Sequence, residues 1–262
     1  MKKYLFSFLL FAFAASSLNA QIVRGDMNGD GKVDVSDVTM IVSVILGNSP
    51  ITYITEADIV KYEYVDLGLP SGTLWATCNI GAKNPEDYGD YFAWGEIEPQ
   101  EGNTYSWVSY KYAVDNYDNL TKYCNDSSFG NNGFTDNLTE LELADDAAFM
   151  NKGTGWRMPS KEQIDELINS EYTTSEWITQ NNVKGRKITS LSNGNSIFLP
   201  AAGYRYDRAL RGTGSSGYYW SRTLYSDGPI VAWDLRVESS GANANIDLRC
   251  NGCSIRPVRL SK

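Results

Sequence analysis

The chain has 262 residues, 32 Asp and Glu against 23 Lys and Arg, a formal charge of −9 and no histidine. Without imidazole, Ser-His-Asp and Cys-His catalysis and histidine zinc sites are excluded, and the acidic balance argues against general nucleic-acid binding. A glycosidase needs only two carboxylates, so that class stays open, although no pair stands out.

Lys2 and Lys3 precede an apolar run from Tyr4 to Ala15, and Leu18-Asn19-Ala20 stands before Gln21. This order of basic, apolar and small residues predicts a secretory signal peptide over residues 1–20. No later apolar stretch is long enough to cross a bilayer. The mature protein is therefore expected without a transmembrane segment, in the periplasm, on the cell surface or outside the cell.

The sharpest pattern follows. Counting Asp26 as position 1, oxygen-bearing side chains fall at positions 1, 3, 5, 9 and 12, as Asp26, Asn28, Asp30, Asp34 and Asp37. Gly31 takes position 6, where an EF-hand loop turns sharply, and Lys32 at position 7 supplies only its backbone carbonyl. Four carboxylates so close together repel one another unless a hard divalent cation neutralises them, and all-oxygen ligation at this spacing suits calcium. Val38, Ile41, Val42 and Ile45 then recur as one face of a helix over residues 36–46, with Gly47, Asn48 and Pro50 as stop signals. So short a helix needs a partner for its apolar face.

Residues 21–48 resemble one half of a dockerin, a calcium-dependent module that docks onto cohesins in polysaccharide-degrading assemblies. The resemblance implies a cohesin-like or other protein partner through helix 36–46. Only one repeat is present, because the linker at residues 49–61 contains no second Asp-x-Asn-x-Asp-Gly.

From residue 62 onward aromatics become frequent and Gly, Asn and Ser interrupt short apolar runs, which predicts one domain of short strands and long loops over residues 62–262. Val65 to Ala76 reads as two strands around Pro70-Ser71-Gly72, and Tyr91 to Glu96 as another strand. Residues 104–136 read as a long, aromatic and Asn-rich loop region. Ser160 and Gln163 form a capping box that opens a helix with Ile164, Leu167 and Ile168 on its buried stripe. Lys187–Ser190 and Ser196–Leu199 flank Asn193-Gly194 as a hairpin. Tyr218–Ser221, Ile230–Val237 and Ser254–Arg259 complete the strands. The five tryptophans Trp75, Trp94, Trp156, Trp220 and Trp233 read as core. Four cysteines, Cys78, Cys124, Cys250 and Cys253, pair in any of three ways, and Cys250-x-x-Cys253 lies in a polar turn, so the cysteines read as structural.

The stretches VDLGLPSGTLWATCNIGA, YGDYFAWGE, GWRMPSKEQIDEL, IFLPAAGYR, GYYWSR and SIRPVR, in order over residues 62–260, resemble the Fibrobacter succinogenes major paralogous domain of exported bacterial proteins. The Trp-Arg-x-Pro helix start, the Tyr-Trp-Ser strand and the closing Arg-x-Val-Arg strand are in turn similar to the C-type-lectin-like fold shared with formylglycine-generating enzymes. The resemblance implies an α+β fold: a C-type-lectin-like domain of short strands, long loops and one or two helices behind a calcium loop–helix half-dockerin.

One further loop bears on ligands. Gly203 to Gly214 holds Tyr204, Arg205, Tyr206, Arg208 and Arg211 in an otherwise acidic chain. Tyrosine rings stack on sugar faces, and arginine forks pair with carboxylate or sulfate. The expected function is that of an exported, non-catalytic, calcium-binding protein that recognises a glycan or surface ligand and is associated with polysaccharide breakdown. The alternatives are a hydrolase using paired carboxylates, a cysteine-oxidase-like protein, and a structural surface protein with protein partners.

Overall fold

The computed structural model describes residues 64–260. Backbone contacts divide the chain into two units, Met1–Val60 and Lys61–Lys262, and the described residues lie in the second. The expected signal segment 1–20, calcium loop 26–37, helix 36–46 and linker 49–61 all lie outside them.

Strands β1 (Tyr64–Asp66), β2 (Thr73–Ala76) and β11 (Val258–Leu260) form one sheet in the order β1-β2-β11. Strands β3 (Thr173–Gln180), β4 (Val183–Ser190) and β5 (Ser196–Pro200) form a second, consecutive sheet. A third has the order β10-β9-β8, from Gly241–Leu248, Val231–Glu238 and Ser216–Leu224. Strands β6 (Tyr204–Tyr206) and β7 (Ala209–Arg211) make a separate hairpin. All pairing between these strands is antiparallel. Helices α1 (Ala147–Lys152) and α2 (Lys161–Ile168) complete the regular elements, with three short 3-10 turns.

Local chemistry explains several of these elements. The α2 start carries both hydrogen bonds of the capping box between Ser160 and Gln163, and Ile164 and Leu167 are buried below it. The β3–β4 turn places Asn181 and Asn182 at φ of 47° and 65°. Asparagine tolerates that left-handed backbone, so two residues suffice to close the hairpin. Gly72 donates to the Leu69 carbonyl at 2.8 Å and turns β1 into β2.

The expected α+β, C-type-lectin-like class is corrected by this architecture. Eleven strands in four small antiparallel sheets dominate the described residues, and the two α-helices have six and eight residues, too little to form a helical layer. The excess of strand came from segments of poor strand propensity. Strand β10, Gly-Ala-Asn-Ala-Asn-Ile-Asp-Leu, pairs with β9 along its whole length, so cross-strand partners override its composition. Residues 203–214, expected as a loop, contain β6 and β7. Conversely, Tyr91–Glu96 is not a strand: Phe92 makes an isolated bridge to Cys253, with hydrogen bonds of 3.0 Å in both directions. The closing strand is shorter than Ser254–Arg259 and begins at Val258.

The β8–β9–β10 sheet separates two cores through its period-2 alternation. Tyr218, Trp220 and Ala232 join Trp94, Tyr110 and Tyr123 on one side. Tyr219, Leu235 and Val237 join Trp75, Ile164 and Leu167 on the other. Trp75, Trp94, Trp156 and Trp220 are buried as expected, whereas Trp233 is half-buried.

Two arginines lie at the centre of this packing. Arg249 is 0% exposed; it donates to the carbonyls of Tyr123 (2.9 Å), Pro229 (2.7 Å) and Lys122 (2.9 Å) and to the Tyr110 hydroxyl (3.0 Å). Its guanidinium also lies over the rings of Trp94 and Tyr110, at 4.9 and 5.3 Å. Arg256 likewise donates to Asn79 Oδ1 and to the carbonyls of Ala76, Thr77 and Phe198. Neither forms an ion pair with a described residue. Arg249→Met would leave three carbonyls without their donor and is expected to destabilise by about 3–5 kcal/mol in urea unfolding. Exposed Arg208→Met should stay within about 0.5 kcal/mol. A difference between the two below about 1 kcal/mol would remove Arg249 from this role.

Candidate functional site

The β6–β7 hairpin gathers all five residues singled out as ligand-binding, four on its strands and Arg208 in its turn. Register pairs Tyr204 with Arg211, Arg205 with Leu210 and Tyr206 with Ala209, so alternation puts Tyr204, Tyr206 and Arg211 on one face and Arg205 on the other. Arg208 lies in the two-residue turn, after Asp207 at φ 51°. Gly203 has φ 70°, and a Cβ there would collide with the Arg211 carbonyl oxygen, so only glycine closes this end. The hairpin is fastened to the body by backbone bonds between Arg205 and Gly252, 2.7 and 2.9 Å, and from Asp207 N to the Tyr105 carbonyl, 2.7 Å.

Exposure divides the five. Tyr206 is 41% exposed, and the Arg211 guanidinium lies 5.1 Å over its ring. Arg208 is exposed, with no hydrogen bond or ion pair to a described residue. Tyr204 is half-buried and stacks on Tyr218, with centroids 4.7 Å apart. Arg205 faces the other way, 5.0 Å over the Tyr91 ring, with its Nε buried and unpartnered. The outward set is therefore Tyr206, Arg208 and Arg211. None of the three arginines pairs with a described carboxylate, so their charge is not spent internally.

Arg236 joins this surface from β9, although no local motif marks it. It lies opposite Tyr218 in register, 5.0 Å over its ring, and extends the Tyr204–Tyr218 stack. Its bond to Glu238 Oε1, 2.7 Å, offsets much of its charge. The alternation of β9 carries a signal for its face, but its proximity to Tyr204 depends on the hairpin's docking. The 104–136 region, expected as a long loop, contains a further aromatic feature. There, Trp107, Tyr117 and Phe129 form a row with successive centroids 6.5 Å apart.

The alternative chemistries meet specific obstacles. Cys250 and Cys253 are unbridged but buried, and burial pushes the Cys250 thiol up to about 12 and the Cys253 thiol well above its ordinary value. Such thiols are inert. Asp234 and Asp247 share one face of the β9–β10 pair and both titrate high, mainly through burial. Asp234 is 1% exposed, so no polysaccharide reaches it. Among the described residues no group of three or more His, Cys, Asp or Glu could hold a metal ion. The expected calcium ligands Asp26, Asn28, Asp30, Lys32, Asp34 and Asp37 lie outside the described residues.

Comparison with known proteins bears on that segment. Residues 24–61 match the family model of the dockerin type I domain. The match contains all six expected calcium ligands and runs through residues 49–61, expected as a linker. No curated protein matches the chain, and no solved structure does.

Asp234 has a consequence for stability. Neither of its carboxylate oxygens accepts a hydrogen bond from another residue. Burial raises its pKa well above the ordinary range, and the Asp247 charge adds to this while Arg236 opposes it. The folded state thus holds a proton that the unfolded chain releases near pH 4, so this residue's contribution is full below that pH and is lost as pH rises through the folded pKa. Asp234→Asn should remove that loss, so the variant gains on the wild type with rising pH, at most about 1.4 kcal/mol per pH unit. Urea unfolding at pH 5, 7 and 8.5 checks this; a pH-independent difference would mean that Asp234 does not stay protonated.

Proposed function

We propose that this is an exported, non-catalytic, calcium-binding protein that recognises anionic glycans and works alongside polysaccharide breakdown. In this reading residues 1–20 direct export and residues 21–48 form the calcium loop and helix of the dockerin segment. After the linker at 49–61, residues 62–262 form the recognition domain, which we group with the Fibrobacter succinogenes major paralogous domains on the strength of its motifs. The calcium ligands are Asp26, Asn28, Asp30, Asp34 and Asp37, with the Lys32 carbonyl. Helix 36–46 is the surface for a cohesin-like partner.

The observation that carries glycan recognition is the hairpin tip. Arg208 and Arg211 are exposed and form no ion pair with a described residue, beside the exposed Tyr206 ring, in a chain with net charge −9. Unpaired guanidinium groups are less costly to desolvate against an incoming carboxylate or sulfate than groups that must first break an internal pair. The ring beside them offers a stacking face for a pyranose.

Binding of the mature protein to sulfated and uronate-containing glycans on an array tests the reading. Arg208→Ala combined with Arg211→Ala should weaken binding at least about tenfold, since charge-assisted hydrogen bonds are lost. Raising ionic strength should weaken the wild type in parallel. Absence of binding, or binding indifferent to the double substitution, would discard the hairpin as the site.

Calcium is tested separately by calorimetric titration of the mature protein after chelation and dialysis. The wild type should bind calcium, and Asp30→Ala should weaken binding at least about tenfold by removing a charged ligand. A wild type without a calcium isotherm would overturn the metal assignment.

A further inference from the structure

We infer that the protein has a second binding site, for a neutral saccharide, in the cavity between the 125–137 loop and the turn at 226–229. This goes beyond the hairpin, because the two sites differ in place and in charge. The cavity measures about 490 Å³, within the range of small-ligand sites. Asn125, Asp126, Ser127, Thr135 and Asn137 line one wall, and Ser226, Asp227 and Pro229 the other.

Its lining has unused hydrogen-bonding capacity. The Asn125 amide donates to the Ser226 carbonyl at 2.6 Å and so spans the two walls. The side chains of Ser127, Thr135 and Asn137 make no hydrogen bond to a described residue. Asp126 uses Oδ1 to hold Ser128, at 2.9 and 2.8 Å, and Oδ2 has no such partner. Amide and hydroxyl groups, which both donate and accept, together with carboxylates, which accept, are the set that recognises sugar hydroxyls.

Charge and size select the ligand class. Two carboxylates and no Lys or Arg line the cavity, so an anionic sugar is repelled here while the hairpin attracts it. A calcium ion needs six to eight oxygens converging at roughly 2.3–2.6 Å, which suits a cavity far smaller than this one.

The walls are also held in place from behind. Arg249 donates at once to the Pro229 carbonyl of one wall and to the Tyr123 carbonyl at the root of the other. The Asp136 carboxylate accepts from the backbone N–H of Tyr123, Cys124 and Leu138, at 2.7, 3.0 and 3.1 Å. A site fixed by buried bonds loses little freedom on binding, which favours a ligand as polar as a sugar.

The test is calorimetric titration of the mature full-length protein with glucose, galactose, mannose, xylose and the disaccharides cellobiose, maltose and xylobiose. At least one should bind with a Kd of about 1 mM or tighter. Asn125→Ala and Thr135→Ala should each weaken that binding about tenfold through lost hydrogen bonds, and Arg208→Ala with Arg211→Ala should leave it unchanged. The last arm separates this site from the hairpin, whose own failure would show only with anionic glycans. If Asn125→Ala unfolds, the exposed Thr135→Ala and Ser127→Ala carry the measurement. No binding of any sugar, binding indifferent to these variants, or a calcium isotherm that disappears in Asp227→Asn in place of sugar binding would overturn the inference.

Discussion

A buried guanidinium without a carboxylate partner must be solvated by something else, and in this protein backbone carbonyls from distant segments do it. Arg249 draws together the 122–123 segment, Pro229 and the Tyr110 hydroxyl. Arg256 draws together the end of β2, Asn79 and Phe198 of β5. The cost of desolvating each charge is met only when all these acceptors converge, so the two residues couple loops that otherwise have little regular structure. The turn between them adds three further links: Gly252 pairs with Arg205, Cys253 with Phe92, and Ser254 with Tyr219. The segment 249–256 is thus the hub on which the hairpin and the cavity both hang.

That arrangement explains how long loops stay ordered. The 104–146 region has little strand pairing of its own, yet Tyr105, Tyr110, Tyr112 and Tyr123 are all buried. Their hydroxyls are tied down one by one, Tyr110 to the Trp94 carbonyl and Tyr112 and Tyr123 to the Asp145 carboxylate. Burial alone would raise Asp145, but Lys122 and the two tyrosine hydroxyls hold it down to about 2. A tyrosine supplies a large apolar ring and a polar tip together, which suits a core built from loops whose backbone groups also need partners. The abundance of tyrosine in the composition is a record of this solution.

Charge is separated across the surface in a way the net value of −9 conceals. The hairpin presents unpaired cations and the cavity presents carboxylates with no cation among its lining residues. Both features stand on short, firmly anchored turns, where a side chain is positioned by the body of the protein while remaining accessible.

What could be read directly from the sequence was chemistry fixed by local spacing. The capping box at Ser160 and Gln163 and the β1–β2 turn need only neighbours along the chain, as does the Asp26–Asp37 spacing on which the calcium expectation rests. Four of the five tryptophans in apolar runs are core as their neighbours imply, and Trp233 is not. The dominance of β-structure could not be read, because β10 carries little strand propensity and β6 and β7 have only three residues each, so that β9 and Gly252 must supply partners. Nor could the division of labour among Tyr204, Arg205, Tyr206, Arg208 and Arg211: alternation separates their faces, but which face meets Tyr91 and which meets solvent was decided by docking on the 249–256 hub. Arg249 and Arg256 appear in sequence as ordinary polar residues near a closing strand. Their burial, and with it the joining of the cavity's two walls, follows from acceptors more than a hundred residues away in the chain, a distance over which only tertiary structure acts.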